Sequence, residues 1–162
     1  MTNAELAILS LIVEQPRHGY EIEQVIELRG MRDWTEVGFS SIYYLLKKLE
    51  RQEFITGQLE QTTGRGPARK VYHATDAGRA AWNLATIQAL TVPKPCYSSF
   101  QLGLAGLPFV SPDQVLTALQ AYQQTLAERR DYVFTRWQDQ GGANLPINVS
   151  GMFELGLRLI ET

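Results

Sequence analysis

Apolar residues in the first third of the chain recur at helical spacing. Thr2 and Glu5 stand three apart, as in a capping box, and open a first helix. Its apolar run, Leu6, Ile8, Leu9, Leu11, Ile12 and Val13, coats most of the circumference and stops before Pro16. A helix so apolar needs cover on several sides, and in a short chain a second subunit can supply part of it. A second helix opens near Gly19–Tyr20, carries Ile22, Val25 and Ile26 on one face, and ends at Gly30. The stretch from Met31 to Gly38 has no strong period and reads as a connector.

The segment from Ser40 to Arg51 has the sharpest two-sidedness. At about 100° per residue, Ile42, Leu45, Leu46 and Leu49 fall on one tight stripe. Ser40, Tyr44, Lys47 and Arg51 gather on the opposite side, flanked by Tyr43 and Lys48. A water-facing helix usually mixes Glu with Lys, yet no carboxylate stands between Ser40 and Lys48. Hydroxyls, phenols and cations on one face suit phosphates and base edges.

The period then changes. Phe54 to Glu60 and Arg69 to His73 read as two strands rich in β-branched and aromatic residues. The Gly- and Pro-containing loop from Gln61 to Ala68 joins them, with Arg65 at its tip and Arg69 and Lys70 at its exit. Thr75 caps a fourth helix from Asp76 to about Leu90, and Pro93 and Pro95 close this half. Beyond it, Phe100 to Leu107 is a short helix weakened by Gly103 and Gly106. Ser111–Pro112 opens a long helix to about Gln138, ended by Gly141–Gly142. A last, very apolar helix from about Val149 to Glu161 needs a surface to bury against.

Charge sharpens this picture. Across 162 residues the net charge is −2, which does not mark a nucleic-acid binder. Its distribution is uneven: residues 1–39 hold three basic and seven acidic residues, residues 40–72 six basic and three acidic. The positive charge sits with the two-sided helix and the hairpin, which points to a local anionic partner. The apolar runs are too short for a bilayer and no basic segment leads them, so a cytoplasmic protein is expected. One cysteine, Cys96, and two histidines, His18 and His73, form no clustered ligand set. Cys96 has no base near it in sequence, and no paired carboxylates or phosphate-cradling glycine loop stand out. An enzyme, a cofactor and a metal are therefore not expected. His18, at a helix start, is expected to cap or pack there.

Three helices followed by a two-stranded hairpin with a basic tip describe a winged helix-turn-helix, whose third helix enters the major groove. The expected fold is mainly helical (α+β winged helix), with residues 1–91 as the DNA-binding domain and 92–162 as a helical dimerisation domain. The sequence also resembles the PadR-like transcriptional regulators. His18-Gly19-Tyr20-Glu21-Ile22 is similar to the opening of that family's second helix. The stretch from Ser41 to Glu50 resembles its recognition helix. Gly64 to Tyr72, with Thr75 and Gly78, resembles its wing and following helix. Two positions depart from the pattern: Tyr44 where many relatives have proline, and Glu53 where a helix-ending glycine is usual.

The resemblance implies a homodimeric regulator, in most cases a repressor, on a pseudo-palindromic operator in double-stranded DNA. The expected DNA contacts are Ser40, Ser41, Tyr43, Tyr44, Lys47, Lys48, Arg51, Arg65, Arg69 and Lys70. Ser40, Ser41 and Tyr44 are expected nearest base edges and the cations on phosphates. Several family members respond to small aromatic compounds, so Trp82, Tyr97, Phe100, Tyr122 and Trp137 are candidate effector contacts; their simpler role is core packing. The alternative is a winged helix used as a protein-interaction scaffold, which an acidic or apolar outer face on the third helix would favour.

Overall fold

The structure is a computed structural model, and it describes residues 1–35, 37–38, 41–61, 68–93 and 98–161. It divides into two compact units, Met1–Lys94 and Pro95–Thr162.

In the first unit, helix α1 spans Asn3–Glu14. Both halves of its capping box form: Thr2 Oγ1 accepts from the Glu5 amide at 3.2 Å, and Glu5 Oε2 accepts from the Thr2 amide at 2.7 Å. Pro16 prevents continuation, and the extended residues after it form a two-residue strand, β1 (Arg17–His18). Two residues are too few for a periodic signal in sequence. Helix α2 (Gly19–Leu28) follows, and Gly30 turns the chain with φ +60°.

The connector is not inert. It winds into a single 3₁₀ turn, Met31–Asp33, and sinks Met31 and Val37 into the core. Anchors placed singly in irregular chain leave no period to read. Helix α3 then runs Ile42–Arg51 with Ile42, Leu45, Leu46 and Leu49 buried. Its end is a Schellman turn: the Phe54 amide donates to the Leu49 carbonyl and the Glu53 amide to that of Glu50, both at 3.0 Å. Glu53 occupies the left-handed position of that turn, with φ +60°. This is where the family pattern has glycine.

Strands β2 (Ile55–Glu60) and β3 (Arg69–Ala74) pair antiparallel, Ile55 opposite Ala74 through to Glu60 opposite Arg69. β3 also pairs with β1, Arg17 opposite Tyr72, so the order is β1-β3-β2. Helix α4 (Asp76–Thr91) is capped by Thr75, whose Oγ1 accepts from the Gly78 amide at 2.9 Å. Trp82 of α4 packs on the core edge and donates its indole N–H to Ser10 Oγ of α1 at 2.9 Å. The core of the unit is one cluster joining α1, α2, α3 and the sheet, with Ile8, Leu9, Ile12, Ile22, Ile26, Ile42, Leu46, Leu49 and Ile55 fully buried.

The second unit holds α5 (Ser99–Gly106), a 3₁₀ turn at Leu107–Phe109, α6 (Pro112–Asp139) and α7 (Ile147–Glu161). Gly141 and Gly142, both at positive φ, make the turn between the two long helices. None of these three helices has a buried residue in the isolated chain. Phe109, Leu116, Phe134, Leu155 and Leu159 stay exposed. Among the described residues no helix is long and apolar enough to cross a membrane.

Candidate nucleic-acid interface

The stripe of leucines on α3 decides what its far side presents. With Leu46 and Leu49 at zero exposure, Tyr43 and Tyr44 are left 55% and 61% exposed, and Lys47 and Arg51 also face water. Neither Lys47 nor Arg51 has an intramolecular acid partner among the described residues. Their charges are available to an outside anion.

Lys48 is different. Its ammonium lies 2.7 Å from Glu5 Oε1, in an ion pair that ties α3 to the start of α1. The Glu5 side chain is only 4% exposed and that of Lys48 38%. Burial alone would raise the Glu5 carboxyl, but the Lys48 ammonium and the Thr2 hydrogen bonds outweigh it and hold the group below the usual carboxylate range. The same pair pushes the Lys48 ammonium up. This departs from the phosphate role expected of Lys48: a strut between two helices takes up its charge. Helical spacing placed Lys48 only at the flank of the cationic face. The acid that claims it is 43 residues away in sequence, which no local pattern shows.

Lys70 is held in a similar way. Its Nζ lies 2.8 Å from Glu50 Oε1 and 5.4 Å from the centre of the Tyr72 ring. The hydrogen bond to Glu50 raises its pKa. Burial does the same for the Tyr72 phenol. Ser41 donates its hydroxyl to the Gly38 carbonyl at 2.7 Å and serves the helix entry. Arg69 is exposed and reaches His18. Ser40 and Arg65 lie outside the described residues.

His18 caps a helix. Its Nδ1 accepts from the Glu21 amide at 3.2 Å and Glu21 Oε2 accepts from the His18 amide at 3.0 Å, a complete capping box at α2. The capping role expected of His18 from its place at a helix start is met, although histidine is not a usual cap residue. The other edge of the ring faces an open cleft of about 310 Å³, lined by His18, Gly19, Tyr20, Tyr43, Arg69, Lys70 and Tyr72. The Tyr43 ring lies so close over Gly19 that a Cβ there would come within 2.7 Å of it. Gly19 thus lets the phenol of α3 lie against the start of α2.

The candidate effector residues separate. Trp82 belongs to the first unit and gives its N–H to Ser10. Phe100 and Tyr122 stack at 4.5 Å beside an apolar groove of about 270 Å³ between α5 and α6. Trp137 packs against Phe134 at 5.6 Å. Tyr97 lies outside the described residues.

Residues 8–83 match the transcriptional regulator PadR-like family. An uncharacterized protein of Lysinibacillus sphaericus is 34% identical over 73 residues. That match covers 45% of this chain and 65% of the other, just under two thirds of that relative's length. Among solved structures, Bacillus subtilis PadR in complex with operator DNA superposes with a TM-score of 0.78 at 19% identity, covering 97% of this chain and 90% of that one. The same protein in complex with p-coumaric acid gives 0.72 at 18%, covering 97% and 94%. The protein smu.1604c of Streptococcus mutans UA159 gives 0.67 at 20%, covering 99% and 93%. At such identities the likeness establishes the fold, a winged helix with a helical C-terminal region.

Proposed function

Starting from the match of residues 8–83 to the PadR-like family of transcriptional regulators, we propose that this chain is a homodimeric repressor that binds double-stranded DNA. The observation that carries the reading is the exposed side of α3, where Tyr43, Tyr44, Lys47 and Arg51 stand without a carboxylate partner among the described residues, opposite a buried leucine stripe. Two such helices, one per subunit, would enter successive major grooves about 34 Å apart on a pseudo-palindromic operator. Lys47, Arg51 and Arg69 neutralise phosphates, Arg65 joins them from the loop, and Tyr44 reads base edges. An acidic or apolar outer face would have favoured a protein-interaction scaffold, and α3 presents neither.

The second unit supports the dimer. Three helices with no fully buried residue in one chain expose apolar surface that water disfavours, and a second copy is the economical cover. The stacked Phe100–Tyr122 pair and its apolar groove favour a small aromatic effector at that place, acting on the spacing of the two DNA modules.

The test is duplex from the gene's own upstream region, titrated by anisotropy at several salt concentrations. Three or four phosphate-bound cations per subunit give a log–log slope of roughly −5 to −7 for the dimer. A slope near zero would refute the reading.

A further inference from the structure

The cleft beside α3 contains a contact that the chain alone does not satisfy. His18 Nδ1 accepts the Glu21 amide hydrogen, so that nitrogen is unprotonated. A neutral imidazole carries one N–H, and here it must be on Nε2. Yet Nε2 lies 3.1 Å from Arg69 Nη1, and a guanidinium only donates. Two donors therefore meet tip to tip. Among the described residues, the carboxylate paired with Nε2 is Glu21, whose Oε2 is 3.5 Å away, beyond a good N–H···O length, and already accepts from the His18 amide at 3.0 Å. Two donors converging at the mouth of a cleft are satisfied by an acceptor that both can share.

Resting on the DNA reading above, we propose that this cleft is a backbone clamp: a single DNA phosphate accepts from His18 Nε2–H and the Arg69 guanidinium at once. The surroundings agree. The Tyr43 phenol, held against Gly19, brings a further hydroxyl from α3 to the same cleft, and Lys70 adds positive charge on the β3 side. Glu50 neutralises Lys70 directly, which leaves Arg69 as the cleft-lining cation with no acid partner among the described residues. The clamp joins the start of α2, the flank of α3 and strand β3 at one anchor point. Such a contact carries no base information; it fixes the register in which Tyr44 meets the groove.

The two donors differ in charge, and that separates them experimentally. His18→Asn keeps a side-chain oxygen for the Glu21 amide, since asparagine is among the best cap residues, but removes the Nε2 donor. It should weaken duplex binding about tenfold with the salt slope unchanged, because no charge is lost. Arg69→Ala should make the slope shallower by about 2 for the dimer, one cation per subunit. In the double variant the His18→Asn effect should largely vanish, because the shared phosphate is already released.

Should His18→Asn unfold, wild-type protein on duplexes carrying one neutral methylphosphonate per half-site gives the same information. One position should weaken wild type strongly and Arg69→Ala little. Wild-type affinity in His18→Asn, full additivity of the two variants, or no such methylphosphonate position would overturn the clamp. Inorganic phosphate that shifts the His18 ring N–H signal, with DNA affinity indifferent to His18, would assign the cleft to a free anion and also overturn it. Failure of the wild type to bind duplex with any salt dependence would instead refute the DNA reading itself.

Discussion

Glu5→Gln tests whether the Glu5–Lys48 pair is a strut, and its cost can be worked from the contacts. The Glu5 carboxylate has two charge-assisted partners, the Lys48 ammonium and the Thr2 amide, both at 2.7 Å. A glutamine keeps the shape and a neutral acceptor, so each partner falls from the strength of a charged hydrogen bond to that of a neutral one, a loss of roughly 1 kcal/mol each. The Lys48 side is discounted, because a side chain 38% exposed regains water when released. The expected cost is about 1–2 kcal/mol, a urea midpoint lower by about half to one molar, followed by far-UV circular dichroism.

The pH dependence fixes the cause. The folded carboxyl lies below its ordinary value, so its stabilisation is complete above about pH 4.3 and is lost as pH falls through the lowered folded value. The gap between wild type and Glu5→Gln should therefore hold from pH 7 to 5 and close in stronger acid. The freed Lys48 also becomes available to phosphate, so the duplex salt slope should steepen by about 0.9 per subunit. Equal stability at pH 7, or a gap that does not narrow at all as acid is added below about pH 4.3, would refute the strut.

Three other expectations follow from the same contacts. Glu53→Gly relieves a non-glycine residue at φ +60°; the relief exceeds glycine's added chain entropy, so stability should rise by about 0.5–1 kcal/mol in denaturant melts. Gly78→Ala would place a Cβ 1.9 Å from the Phe54 carbonyl oxygen, a backbone atom that also accepts from Thr75, and should cost about 2–3 kcal/mol by the same assay. Lys47→Ala should leave stability within about 0.5 kcal/mol while weakening specific and random duplexes by the same factor; a selective loss would move Lys47 from phosphate to base contact.

Local patterns in the chain were enough to place most helices, because α1, α2, α4 and α6 have their own punctuation: Thr2 with Glu5, Pro16, Gly30, Thr75, Ser111–Pro112 and Gly141–Gly142. They were also enough to divide α3 into a leucine side and a cationic side, since that division follows from 3.6 residues per turn. Strand β1 and the anchors Met31 and Val37 were not legible, because each depends on a distant partner and repeats too few times to form a period. The same limit governs the site. Sequence offers Lys48 as a phosphate contact beside Lys47, and Lys70 beside Arg69. Only the fold brings Glu5 to Lys48, Glu50 to Lys70 and His18 to Arg69. Electrostatic pairing depends on distance through space, which for residues 20 to 51 positions apart is set by packing and not by order along the chain.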